Sequence, residues 1–105
     1  MVAATGIAEA STVSHAYGRG SVSFKSAGDK ITVKDTRSDG YRIAVYVNDR
    51  TNGTNYALQC GSGTRHAPVT VKCVRNYPEG HRMRFVTYAE RTNDEIRLGE
   101  FTAKA

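Results

Sequence analysis

From Ser21 onward, apolar and polar residues alternate in short runs, and each run ends at a turn signal. Val22 and Phe24 share one face of Ser21–Lys25, and Ser26-Ala27-Gly28-Asp29 reads as a turn. Ile31 and Val33 lie between Lys30, Thr32 and Lys34, the clearest alternation in the chain. Period-two patterning of this kind predicts half-buried strands, and the first two form a hairpin. Tyr41–Asn48 is apolar on both sides, with Tyr41, Ile43, Val45 and Val47 on one and Ala44 and Tyr46 on the other. That predicts a central strand. Asn52-Gly53 marks the next hairpin turn.

Tyr56, Leu58 and Cys60 share one face of the following run, and Val69, Val71 and Cys73 share one face of the run after it. Arg82–Glu90 places Met83 and Phe85 on one side and Val86 and Tyr88 on the other. In the last run, Ile96 and Leu98 are followed by Phe101, a parity change near Gly99 that predicts a bulge. No stretch keeps a helical period for two turns. The pattern predicts an all-β domain over residues 21–105, a single seven-stranded antiparallel β-sandwich, with a small barrel as the alternative.

The N-terminal residues read differently. Residues 1–10 resemble the end of a secretory signal, with Ala8-Glu9-Ala10 as a small-x-small cleavage pattern; an Ala-rich tail is the other reading. Residues 11–20 form a polar segment in which Val13, His15 and Tyr17 alternate with Thr12, Ser14 and Ala16. An extended N-terminal arm is expected there, with Gly18 and Gly20 as a hinge. An arm with strand character can add itself to another protein's sheet edge; a frayed terminus is the alternative.

Composition narrows the class. The chain has 105 residues, enough for one domain, and no apolar run of membrane-spanning length. Fifteen Lys and Arg against ten Asp and Glu leave a net charge of +5, which favours acidic partners. Two cysteines, Cys60 and Cys73, fall on core-facing positions of consecutive strands. A disulfide between them is expected, with two free buried thiols as the alternative; a zinc site lacks further ligands at suitable spacing. A disulfide and secretion support each other.

Candidate chemistry is sparse. Asp35-Thr36-Arg37-Ser38-Asp39-Gly40 resembles the start of a calcium loop, but Arg37 stands at the third position and no Glu at the twelfth, so it reads as a polar turn. Asn52-Gly53-Thr54 matches a glycosylation acceptor as well as a turn. Gly61–Ala67 brings Ser62 near Arg65 and His66 in a flexible loop, without a nucleophile elbow. No catalytic residue, metal or cofactor is expected. If Cys73, Met83, Phe85, Ile96 and Leu98 face inward, then Lys72, Arg82, Arg84 and Arg97 face outward and, on adjacent strands, form one basic face beside Tyr88. Such a face suits phosphate or acidic-surface contacts. A nucleic-acid role is not expected, because no single-strand-binding motif is present.

Four segments, Gly20–Lys25, Gly28–Asp35, Ser38-Asp39-Gly40-Tyr41 and Pro78-Glu79-Gly80, resemble small secreted β-sandwich proteins of actinobacteria, Streptomyces above all. That group includes the adaptor subunits of umbrella toxin particles. The resemblance implies a secreted, non-catalytic adaptor that joins larger toxin subunits, with the arm as a donated strand. A secreted inhibitor or a binder of glycan or acidic polymer, acting through the Gly61–Ala67 loop, is the competing expectation. A small hydrolase using paired carboxylates is the third.

Overall fold

The structure, a computed structural model, describes residues 12–63 and 67–105. Eight strands follow one another: β1 (Thr12–Tyr17), β2 (Gly20–Lys25), β3 (Lys30–Asp35), β4 (Arg42–Asp49), β5 (Asn55–Gly61), β6 (Val69–Val74), β7 (Arg82–Arg91) and β8 (Asp94–Lys104). No helix among the described residues is long and apolar enough to cross a membrane.

The strands form two antiparallel four-stranded sheets. The first has the order β1-β2-β3-β6 and the second β5-β4-β7-β8. The chain crosses between the sheets at the β3–β4, β5–β6 and β6–β7 connections. The inward faces are the apolar positions of each alternation. Val22, Phe24, Ile31 and Val33 come from the first sheet and Ile43, Val45, Val47, Met83 and Phe85 from the second, all buried. Phe24 meets Phe85 across the gap with ring centroids 4.6 Å apart, and Phe85 stacks on Phe101 at 4.9 Å. Fully burying a side chain of this size contributes about 1.5–3 kcal/mol. The alternation therefore accounts for both the strands and the side on which they pack.

The strand count is eight, not seven. The additional strand is β1, the segment expected to extend as an arm. It pairs with β2 along its full length, from Thr12↔Lys25 to Tyr17↔Gly20. Gly18 and Arg19 form a tight turn in place of the expected hinge. Gly20 is required by close approach: a Cβ there would lie 2.0 Å from the Lys34 carbonyl oxygen of β3. The apolar alternation of Val13, His15 and Tyr17 thus serves the chain's own sheet.

Two further expectations meet the register. The bulge expected near Gly99 is present, as a shift between Thr87 and Tyr88 in the β7–β8 pairing. On β5 the alternation fails. Two shifts in the β4–β5 register leave Leu58 49% exposed while Cys60 stays buried at 3%. A bulge adds a residue to one strand and so reverses which side its neighbours face.

Cys60 and Cys73 are joined as a disulfide, with Cα atoms 5.8 Å apart. The bond ties β5, an edge of the second sheet, to β6, an edge of the first. Closing a loop of this length stabilises a fold by about 3 kcal/mol in the chain-entropy treatment.

Candidate binding surfaces

Among the described residues, strand β1 is the outer strand of its sheet, with β2 on one side and no strand on the other. Val13 and Tyr17 pack against the core, and the His15 ring stacks on Phe101 at 5.0 Å and 3°. Thr12, Ser14 and Ala16 are exposed on the opposite side. Open backbone N–H and C=O groups on an edge strand invite another chain, and folded proteins blunt such edges with charges, proline or bulges. The other three edges carry such devices. β5 has two register shifts, β6 follows Pro68 and carries Lys72, and β8 has a bulge and five charged residues from Asp94 to Lys104. β1 has no Asp, Glu, Lys, Arg or Pro, and its pairing with β2 has no shift.

The turn that precedes β2 is pinned to the second sheet. Arg19 pairs with Asp39 and lies over the Tyr41 ring at 4.5 Å, where Arg91 lies at the same distance. The Tyr41 hydroxyl donates to the Asp94 carboxylate. That hydrogen bond raises the Tyr41 pKa and holds the Asp94 carboxyl below the ordinary carboxylate value. Asp39, one of the two aspartates of the calcium-loop resemblance, is therefore engaged by Arg19. The other, Asp35, is buried and accepts from Ser62 Oγ at 3.2 Å and from the Arg37 amide.

The expected basic face does not exist as one patch. Arg82, Arg84 and Arg97 belong to the second sheet, whereas Lys72 lies on β6 of the first. Arg84 and Arg97 both pair with Glu100, which is held below its usual range by the Arg84 hydrogen bond. One basic face requires β6 and β7 to be neighbours. They are consecutive in sequence but the chain changes sheet between them.

Lys72 instead joins a different surface. The outward positions of the first sheet are Lys25, Lys30, Lys34 and Lys72, six Ser or Thr residues (Thr12, Ser14, Ser21, Ser23, Thr32 and Thr70), Ala16 and Val74. Four of the chain's five lysines lie on this face, and none of the nine arginines among the described residues does. None of the ion pairs among the described residues involves a lysine. The sequence carries part of this signal in the alternation of Lys30, Thr32 and Lys34 with Ile31 and Val33.

The outward face of the second sheet is aromatic and charge-paired. A groove of about 450 Å³ is lined by Tyr46, Asn48, Asn55, Arg84, Val86, Tyr88 and Glu95, among others. Tyr46 and Tyr88 meet edge to face at 5.7 Å. The Tyr46 hydroxyl donates to Glu90 at 2.8 Å; burial and then this bond push its pKa up to about 12. Glu90 is the cross-strand partner of Glu95, and a hydrogen bond with Glu90 raises the Glu95 carboxyl. This meeting of two carboxylates was invisible in sequence, because it depends on the β7–β8 register.

The remaining polar candidates are engaged in the fold. Ser62 is buried and its hydroxyl accepts from the Ile43 amide at 2.8 Å. His81, directly after the turn at Gly80, approaches the buried Asp49 carboxylate at 2.7 Å through Nδ1. Burial raises the Asp49 pKa, but hydrogen bonds from His81, Thr51 and Asn52 outweigh it and the net shift is downward. Arg65 and His66 of the expected loop site lie outside the described residues, as do residues 1–11. Among the described residues no cluster of His, Cys, Asp and Glu could hold a metal ion. No protein-family model, curated protein or solved structure matches the chain.

Proposed function

We propose that the chain is a non-catalytic assembly module that engages another protein by extending its first sheet at β1. The observation that carries this reading is the unblunted edge: six uncharged residues, Thr12 to Tyr17, in regular register with β2 and, among the described residues, with no strand on the other side. Backbone pairing along such an edge supplies affinity, while alternate side chains supply specificity. The strand need not leave its sheet to be shared. Its free side pairs with a partner's edge strand while β1 stays in place, instead of leaving as a donated arm. The resemblance to adaptor subunits of toxin particles points to other secreted proteins as partners, larger toxin subunits among them.

The test uses Ser14→Lys with Ala16→Lys. Both positions are exposed, so the fold should persist, while two charges would oppose an incoming strand. The native protein, purified from its producing cells, should bring a partner whose recovery is lost with the double variant and kept with Arg84→Gln. Equal recovery with the double variant would sink the proposal.

A second reading is favoured by the groove of the second sheet. Tyr46 and Tyr88 offer ring faces, and Asn48, Asn55 and Glu95 offer hydrogen-bonding groups, the mixture that suits a glycan. Binding of soluble oligosaccharides that is lost in Tyr88→Ala, with the edge variant unaffected, would favour it over the first.

A further inference from the structure

We infer that the outward face of the first sheet is a docking surface for a linear polymer of phosphate groups that carries no bases. The inference rests on the face and not on the β1 edge, so it stands or falls apart from the assembly reading. Lys25 and Lys30 are direct cross-strand partners. Like charges placed opposite one another destabilise a sheet, and no carboxylate among the described ion pairs relieves this pair. Lys30 and Lys34 lie about 13 Å apart on β3. Lys72 sits on β6 opposite Thr32, midway between them. Four lysines thus share one outward face with Ser23 and Thr32 between them in the register.

The residue types select the ligand. Arginine's planar fork pairs with single carboxylates and phosphates bidentately, whereas lysine is a point charge with freely rotating donors, suited to a run of phosphates that offers charge without one fixed approach. This face has lysine, with serine and threonine hydroxyls as additional donors, and no arginine. Single-stranded nucleic acid binds where aromatic side chains stack on bases, and the twelve outward positions include no aromatic residue. A membrane interface is anchored by tryptophan and tyrosine, which are equally missing from this face. A chain of phosphates without bases satisfies the charge and asks for nothing the face lacks.

Long-chain inorganic polyphosphate is the probe. The wild-type protein should bind it with a log affinity that falls against log salt with a slope of about −3, as four neutralised phosphates require. Between 50 and 200 mM salt that slope corresponds to a loss of about 50-fold. Lys30→Gln with Lys34→Gln and Lys72→Gln should weaken binding at least tenfold at low salt. Its unfolding midpoint should not fall, since like-charge repulsion is removed. Lys34→Gln with Lys72→Gln should give an intermediate loss. Arg84→Gln with Arg97→Gln, on the other sheet, should bind as the wild type does. Failure of the wild type to bind, equal binding by the triple variant, or an equal loss in the arginine variant would each overturn the inference. Tighter binding of polyglutamate, single-stranded DNA or phosphatidylglycerol vesicles than of polyphosphate would overturn the phosphate assignment.

Discussion

The two sheets are held together differently at their two sides. On one side β5 meets β6, and the Cys60–Cys73 bond joins the edges covalently. On the other side β1 meets β8, and the contact is aromatic. His15 stacks on Phe101, and the Tyr17 ring lies against Gly99, where a Cβ would come within 2.9 Å of it. The Tyr17 hydroxyl is buried there without a hydrogen-bond partner. A covalent seam does not depend on packing, whereas an aromatic seam opens whenever its contacts are lost. The side that carries the open edge is therefore also the side that separates more easily. The open edge and the non-covalent seam thus fall on the same strand.

The largest expected effect comes from breaking the covalent seam. Cys60→Ser with Cys73→Ser should lower stability by about 3 kcal/mol, read from urea unfolding under non-reducing conditions. An unchanged midpoint would show that core packing alone holds that side. Next comes the aromatic seam. Tyr17→Ala should cost about 2 kcal/mol, less than a fully buried ring would, because Tyr17 is only partly buried. Hydrogen exchange should show β1 amides losing protection while β6 amides keep theirs. Tyr17→Phe removes the unpartnered hydroxyl and should be neutral or slightly stabilising. If it is as harmful as Tyr17→Ala, the ring contact is not what holds the seam.

The smallest effect is expected from acid. Asp94 has a folded pKa below its unfolded value because Tyr41 donates to it. Its contribution is present above the ordinary carboxylate value and is lost as pH falls through the lower, folded value. The Tyr41 ring supports Arg19 in the β1–β2 turn. Below about pH 4, exchange protection corrected for intrinsic rates should therefore fall in β1 before it falls in β6. Asp94→Asn should remove most of that difference. Loss of protection in both strands together would show that the two seams do not differ in their response to acid.

Much of the fold was legible in the chain. Seven strands, the β4 interior position, the bulge near Gly99 and the pairing of Cys60 with Cys73 all follow from period-two alternation and turn residues, which are local properties. β5 was legible only in part, since bulges in its register reverse the side on which Leu58 falls. The candidate surfaces were less legible. The Thr12–Tyr17 alternation did signal a strand, but not the strand it would pair with. The basic face was misassembled because alternation assigns a residue to a side of its own strand and leaves open which sheet that strand joins.

By itself, then, the sequence determined where strands run, which residues point inward outside the bulged β5, and which cysteines can meet, because each depends on neighbours within a few positions. Only the tertiary structure decided which strands lie side by side. That decision brought β1 into the first sheet, separated Lys72 from the arginines, set Glu90 against Glu95 and left one edge open. The physical reason is the crossing of the chain between sheets. A connection of a few residues carries a strand to the opposite layer as readily as to its neighbour's side, and the choice is made by burial of whole faces.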